Sequence, residues 1–272
     1  MYNAIKILTV SACAVVLAAS CSKSDDRAAE ARNLLDRAET LRAGHDYEGA
    51  VALLDSVDKA YRDCLDERKA GTKIRIQTLI DLTTDSLQVG ESRRESRQHQ
   101  IDALSSRFIT VSMAGTRGYR AVKDVFTGSE MAGTFVQPRI DENNYFFLAV
   151  NNAGKRLNLS GVEFGEVSAV GKSVNMDGSE MMSLSQESVA DLSRAIADAP
   201  EGALTVYLVG EKGRTPLKLT AKQAQAWRDT WLLAMLLQEK TLDDIHFEKY
   251  SANIEKLQEQ LRGLDAGTPA EE

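Results

Sequence analysis

The chain has 272 residues with 33 basic and 40 acidic side chains, a net charge of −7 with histidine counted as neutral. This balance disfavours nucleic acid as a partner, because phosphate binding requires an excess of lysine and arginine. Hydrophobic residues make up 43% of the chain, as in ordinary globular domains, whereas the aromatic content of 6% disfavours a carbohydrate-binding platform of stacked rings.

The first 20 residues have the pattern of a secretory signal peptide. Lys6 is the only charged residue among them, and the apolar run 7–17 is too short to span a bilayer as a helix. Small residues then lead to a cysteine, in the order Leu17-Ala18-Ala19-Ser20-Cys21.

This order resembles the lipobox of bacterial lipoproteins. The resemblance implies that residues 1–20 are cleaved off and that Cys21 carries a diacylglycerol as a thioether. Further acylation of its freed amine gives the two or three chains that stable anchoring requires. An ordinary secretory signal that contains a cysteine is the alternative. With Cys21 lipidated and Cys13 removed, Cys64 has no partner for an internal disulfide.

Residues 21–26 form the lipidated cysteine and a polar tether. The segment Ser22-Lys23-Ser24-Asp25-Asp26 resembles the acidic export signal that sends some Gram-negative lipoproteins to the cell surface. A solvated linker is the alternative interpretation. We therefore expect a lipid anchor in the outer membrane of a Gram-negative bacterium, with the periplasmic and cell-surface faces both open.

Residues 27–108 predict a helical hairpin followed by a long arm. Apolar residues recur at three- and four-residue spacing on both sides of a turn at Gly44-His45-Asp46. The pattern of Gly44, Asp46-Tyr47, Ala50 and Leu54 resembles one tetratricopeptide repeat, from which the inserted His45 and the lack of a closing proline depart. Tandem-repeat peptide binding is the less favoured interpretation, since one repeat cannot bury both of its faces.

The arm from about 62 to 108 is charged and has a thin apolar stripe, which is typical of a coiled-coil strand or a solvent-bridging helix. A second arm at 220–264 opens with the capping box Thr220-Ala221-Lys222-Gln223. Its apolar residues Tyr250, Ile254, Leu257, Leu261 and Leu264 have coiled-coil spacing. We predict that the arms pair antiparallel, with 65–79 near 250–264 and 104–108 near Trp227. Residues 265–272 are predicted to be a disordered tail.

Residues 109–219 predict a mainly antiparallel α+β head domain. Short strands are expected at 134–136, 145–150, 157–159, 162–164, 204–209 and 216–219, with a helix at 186–197. The fold class is therefore α+β, with the helical hairpin and the two long arms flanking the β-rich domain.

The sequence contains no motif of a known catalytic, cofactor or metal site. Asp243 and His246 lie one helical turn apart, and 141–144 and 175–178 are rich in oxygen ligands. An exposed helix face and turn formation explain these three segments better. We therefore predict that the protein is not an enzyme, has no cofactor, catalytic residue or metal ligand, and has Cys21 as its lipid attachment site.

The whole pattern resembles uncharacterised cell-envelope lipoproteins with a helical hairpin, a charged helix and a small β-rich module. The resemblance implies no activity. The favoured function is a non-catalytic protein-interaction or scaffold module, displayed on a helical stalk and held at the membrane through Cys21, with a protein partner in the cell envelope. The alternative is a small-ligand binder or enzyme with its site in 109–219. The oligomeric state stays open.

Overall fold

The computed structural model describes residues 24–111, 118–123, 125, 133–176 and 178–266. The predicted signal peptide, Cys21 and the tail from 267 lie outside the described residues. The elements in chain order are α1 (Ser24–Ala43), α2 (Tyr47–Ala60), α3 (Leu65–Ser105), β1 (Phe108–Val111), β2 (Tyr119–Val122), β3 (Phe135–Asp141), β4 (Phe146–Asn152), β5 (Leu159–Phe164), β6 (Val167–Val170), β7 (Ser173–Met176), β8 (Ser179–Ser185), α4 (Gln186–Asp198), β9 (Leu204–Gly210), β10 (Gly213–Leu219) and α5 (Ala221–Ala266). The fold is α+β with antiparallel sheets, as the sequence predicts.

The chain forms two compact units, and α3 and α5 contribute to both. One unit combines the described residues through Asp85 with those from Asn253, and the other runs from Ser86 to Ala252. Among the described residues, no helix is both long enough and apolar enough to cross a membrane.

In the first unit, α1 and α2 form the predicted hairpin, although α1 begins at Ser24, inside the predicted tether 21–26. Asp46 caps α2 by accepting a hydrogen bond from the Gly49 amide at 3.0 Å. Gly71 of α3 lies against this hairpin, because a Cβ placed there would be 3.3 Å from Leu35 and 3.7 Å from Leu54. The hairpin therefore packs against α3, which supplies the additional surface that a single helix pair requires.

The first unit also joins α3 to the end of α5. Ile76 and Ile80 form a buried cluster with Leu257. The ammonium of Lys73 lies 2.6 Å from the carboxylate of Asp265. Because earlier residues of α3 contact later residues of α5, the two segments run antiparallel in this unit.

The second unit contains both sheets. The strand order is β1-β2-β3-β4-β8-β7 in the six-stranded sheet and β10-β9-β5-β6 in the four-stranded sheet, and all pairs are antiparallel. A continuous core joins side chains of both sheets to α4, the end of α3 and the first half of α5. Strands in the described residues are confined to Phe108–Leu219.

The start of α5 confirms the predicted capping box. The Gln223 amide donates to the Thr220 hydroxyl at 3.2 Å, and the Thr220 amide donates to the Gln223 side chain at 2.8 Å. Trp227 is fully buried and donates to Ser193 of α4 at 3.1 Å. Trp231 packs edge-on against Phe146, with ring centres 5.2 Å apart. Trp227 therefore belongs to the core, and Trp231 is partly buried against it.

Several predicted element limits are wrong. The expected strands 157–159 and 162–164 are one strand, β5, whose register shifts at Gly161. A Cβ at Gly161 would lie 2.5 Å from the Ala169 carbonyl, so the close strand approach there requires glycine. Helix α5 extends to Ala266 and includes the first two residues of the predicted tail.

Strand β3 continues five residues beyond the predicted end at 136. Pro138 lies inside it and pairs with Leu148 of β4. Proline is tolerated there because β2 pairs only with Ile140 and Asp141 of β3, so the opposite side of Pro138 has no β2 ladder.

Candidate functional site

The described part of the 109–219 region contains an open groove at the end of strands β4 and β8. Its volume is about 760 Å³, within the range of small-molecule and side-chain binding sites. We call this groove the sheet-end groove. It is lined by Asp141, Tyr145, Phe146, Phe147, Ser183, Ser185, Gln186, Glu187 and Ala190.

The first wall of the groove is the turn between β3 and β4. One carboxylate oxygen of Asp141 accepts from the amides of Asn143 and Tyr145, at 2.9 and 2.8 Å. Asn144 has a φ of 66°, a conformation that asparagine tolerates better than most residues. The oxygen-rich segment 141–144 is therefore a turn, as the sequence favours, and it fixes the Asp141 carboxylate at the groove.

Glutamine side chains hold the turn against α4 and α5. The Phe146 amide donates to Gln186 at 2.9 Å, and Gln186 in turn donates to Gln238 at 2.9 Å. Gln238 also donates to the Asn144 carbonyl at 3.1 Å. These bonds connect the turn, the start of α4 and α5, so the groove rests on regular elements and is pre-formed.

Aromatic and acidic side chains give the groove its chemistry. The Tyr145 side chain is 53% exposed although it is large and amphipathic, and Phe147 is partly exposed beside it. Glu187 is exposed in the first turn of α4, where the helix dipole favours a carboxylate. The lining contains two carboxylates and no basic side chain.

A buried cation lies next to the groove on β3. Arg139 is directly opposite Phe147 in the strand register. Its guanidinium is 4.0 Å from the ring centre of Tyr119 and donates to Gln137 at 2.7 Å. Burial lowers the pKa of Arg139. Since the residue is only 9% exposed, its guanidinium is not accessible at the groove surface.

A second cavity, of about 590 Å³, lies in the first unit beside the turn between α1 and α2. Asp85 accepts from the Tyr47 hydroxyl at 2.6 Å and from Nδ1 of His45 at 2.7 Å. Nδ1 carries a proton in this arrangement, because an ionised carboxylate only accepts. The bond to Asp85 raises the pKa of Tyr47 to about 12, and bonds from Tyr47 and His45 lower the pKa of Asp85.

Asp243, noted in the sequence, and the adjacent Asp244 are engaged in ion pairs. Of the noted segment 175–178, Asn175 and Met176 belong to β7, and Asp177 lies outside the described residues. Arg97 pairs with Asp243. Arg94 and Lys240 both contact Asp244, each at 2.8 Å, and lower its pKa, with Lys240 the larger contributor. His246 lies beside Tyr250, with ring centres 6.4 Å apart. Within the part of the chain that the structure describes, no group of three or more histidine, cysteine or acidic residues has metal-binding geometry.

The two cysteines of the predicted mature chain are Cys21 and Cys64. Cys21 lies outside the described residues, so its lipid attachment stays a prediction. Cys64 is a buried free thiol. Comparisons with protein-family models, with curated proteins and with solved structures found no match to this chain.

Proposed function

We propose that the protein is a membrane-anchored envelope lipoprotein that acts as a non-catalytic interaction module, displayed on a helical stalk. Two features support the proposal: the residues that resemble a lipobox and end at Cys21, and the sheet-end groove, which lies in the 109–219 domain that the stalk would display. In this proposal the acylated Cys21 anchors the chain in the outer membrane of a Gram-negative bacterium.

The groove carries the interaction part of this proposal. Exposed aromatic side chains in a concave surface are characteristic of binding sites, because they gain contact area at low cost in conformational entropy. Tyr145 and Phe147 supply that area. Asp141 and Glu187 give it a negative potential, so the partner that fits is a protein segment with basic and apolar side chains.

The stalk is proposed to be an antiparallel coiled coil of α3 and α5. Residues of α3 at alternating spacings of four and three are Ile76, Ile80, Thr83, Leu87, Gly90, Arg94, Arg97, Ile101 and Leu104. In α5 the corresponding series includes Leu264, Leu261, Leu257, Ile254, Tyr250, Phe247 and Asp243. Both series keep the heptad period that coiled coils require. Arg97 and Asp243 are members of these two series, and the ion pair between them supports the proposed register.

The second candidate is binding of a small organic cation in the same groove. Its volume of about 760 Å³ supports this function, because small-ligand pockets have similar volumes. A compact cation would stack on Tyr145 and Phe147 and contact the two carboxylates. The two candidates differ in ligand size and share the same groove residues.

Binding of fluorescent short peptides to the purified mature chain tests the proposal. We expect a peptide of alternating lysine and leucine to bind more tightly than a matched glutamate and leucine peptide. Raising the salt from about 50 mM to about 500 mM should weaken binding, because exposed charges are screened. In the variant Asp141→Asn/Glu187→Gln the dissociation constant should increase about tenfold, which corresponds to about 1.4 kcal/mol.

The matched control is Asp198→Asn/Glu201→Gln, which removes two exposed carboxylates outside the groove. Equal weakening in both double variants would contradict a specific groove interaction. Benzyltrimethylammonium distinguishes the candidates. If this cation binds tightly and the peptides do not, the small-ligand function is favoured. If the peptide binds and the cation does not, the interaction module is favoured.

A further inference from the structure

The strand β7 lies at an edge of the six-stranded sheet. β8 pairs with one side of β7, and no described strand pairs with its other side. Val174 and Met176 lie on the same sheet face, because successive side chains alternate. Their side chains are 64% and 58% exposed. β7 therefore combines two exposed apolar side chains with backbone groups that pair with no strand of the described ranges.

One of the two edge strands of the four-stranded sheet, β10, provides an internal comparison. β10 carries Arg214, Pro216 and Lys218. Charged residues and proline are the features that prevent an exposed edge from pairing with another strand. β7 has the sequence Ser-Val-Asn-Met and contains neither a charge nor a proline. Its length of four residues is a protective feature that β7 does have.

The hairpin geometry determines which backbone groups of β7 are free. Two residues connect Met176 to Ser179. In a hairpin of this length the pair that flanks the loop, Met176 with Ser179, is hydrogen-bonded, and the next pair, Asn175 with Glu180, is not. Val174, opposite Met181, is hydrogen-bonded to β8 by the same alternation. Asn175, opposite Glu180, consequently directs its N–H and C=O toward the free edge.

We propose that β7 pairs antiparallel with β7 of a second copy of this chain, about a two-fold axis at Asn175. In this register the two Asn175 residues exchange both of their free backbone hydrogen bonds. Val174 then lies opposite Met176 of the partner subunit in a non-hydrogen-bonded pair, where side chains approach most closely. The two-fold axis repeats this apolar pair.

The pattern of the edge favours a second copy over an unrelated strand. Val174 and Met176 are symmetric about Asn175, so one register satisfies both apolar residues and the free backbone groups. A two-fold interface requires this self-complementarity. The strand has four residues, so the contact is small and the dimer forms reversibly at high protein concentration.

Sedimentation velocity of the mature chain tests the proposal, with Cys21→Ala used to prevent lipidation. We expect the average sedimentation coefficient to increase with concentration. The variant Val174→Lys/Met176→Lys should increase the dimer dissociation constant at least about tenfold, because lysines then meet across the axis. The control is Val170→Lys, which introduces a lysine at a 69% exposed valine outside β7 and should leave dimerisation unchanged.

Disulfide formation fixes the register independently. In a Cys21→Ala/Cys64→Ala background, Asn175→Cys should give a covalent dimer under mild oxidation, since the two residues face each other at a Cα distance that a disulfide spans. Val170→Cys is the control and should crosslink far more slowly. A chain that is monomeric at all concentrations would overturn the proposal. Equal crosslinking at 170 and 175 would also overturn it, and a strand of another protein would then be the remaining partner for β7.

Discussion

At the scale of single residues, Glu180 shows how one buried carboxylate connects the two sheets. It lies on β8 and is 4% exposed. It accepts from the amides of Leu157 and Leu159 at 2.8 and 3.1 Å and from Asn152 at 2.7 Å. Burial alone would raise the pKa of Glu180, but these donors outweigh it and lower the pKa. The ionised form therefore stabilises the entry to β5.

Glu180→Gln should reduce the free energy of unfolding by about 3 kcal/mol, because an amide group then faces N–H donors that need an acceptor. Urea unfolding measures this change, and Glu166→Gln in the exposed turn between β5 and β6 is the control. The carboxylate contributes stability above its unfolded pKa near 4.5, and this contribution is lost as the pH falls below that value. The difference in the free energy of unfolding between wild type and Glu180→Gln should therefore decrease in acid. A difference that does not change with pH would contradict an ionised Glu180 in the folded state.

The bond between Tyr47 and Asp85 predicts a change at the alkaline end. The pKa of Tyr47 is raised from 10.0 to about 12, so the bond stabilises the fold fully below pH 10.0 and is lost as the pH rises toward 12. Tyr47→Phe removes this contribution. We expect the variant to be less stable than wild type near neutral pH and the difference to decrease above pH 10.0.

Urea unfolding at a series of pH values, followed by circular dichroism, checks the Tyr47 prediction. Tyr145→Phe is a suitable control, because Tyr145 is 53% exposed. A wild-type phenol that ionises with the ordinary pKa of an exposed tyrosine, measured by ultraviolet absorbance, would contradict the bond.

At the scale of elements, the pairing of α3 with α5 is the contact most open to test. Leu257 is 9% exposed and packs against Ile76 and Ile80. Leu257→Asp should destabilise the first unit by about 3 kcal/mol, because a carboxylate without a partner would be buried in an apolar cluster. The adjacent Gln258→Asp adds the same charge at an exposed position and should have little effect.

Hydrogen exchange measures the effect on each helix separately. If the helices support each other, Leu257→Asp should reduce protection in α3 around 76–80 together with α5 around 254–261. Loss of protection in α5 alone would show that α3 does not depend on this contact.

Local sequence patterns predicted the elements that carry strong local information. The α5 cap was predicted because Thr220 and Gln223 satisfy each other's amides, and α4 was predicted within one residue at its C-terminal end. The strands β1, β2, β6, β7 and β8 are not predicted, because the first four have only four residues each and β8 contains three serines and adjacent methionines that interrupt its alternation. Their pairing depends on partners elsewhere in the chain.

The sheet-end groove and the Asp85 site depend on contacts between residues that are far apart in the sequence. Asp85 is 40 residues from His45 on a charged helix, and nothing near it distinguishes it from other exposed acids. Asp141 and Glu187 meet at one groove because β4 pairs with β8. The acidic segment at 141–144 was noted from the sequence, but its position beside α4 follows from the sheet register alone.

At the scale of the whole molecule, the proposals together describe a lipid-anchored chain whose described residues supply two kinds of surface. The sheet-end groove offers aromatic and acidic groups to a basic, apolar segment, and the β7 edge offers a self-complementary strand to a second copy. These surfaces use different residues. Val174→Lys/Met176→Lys should therefore leave the dissociation constant of a groove-binding peptide unchanged.

Attachment to the membrane through Cys21 is the central claim of this account, and metabolic labelling of cells with an alkyne fatty acid tests it most directly. The matched variants are Cys21→Ala and Cys64→Ala, which change the predicted acceptor and the buried free thiol. We predict label and membrane fractionation for wild type and Cys64→Ala, with neither for Cys21→Ala. Equal labelling of Cys21→Ala and wild type would contradict the lipid anchor.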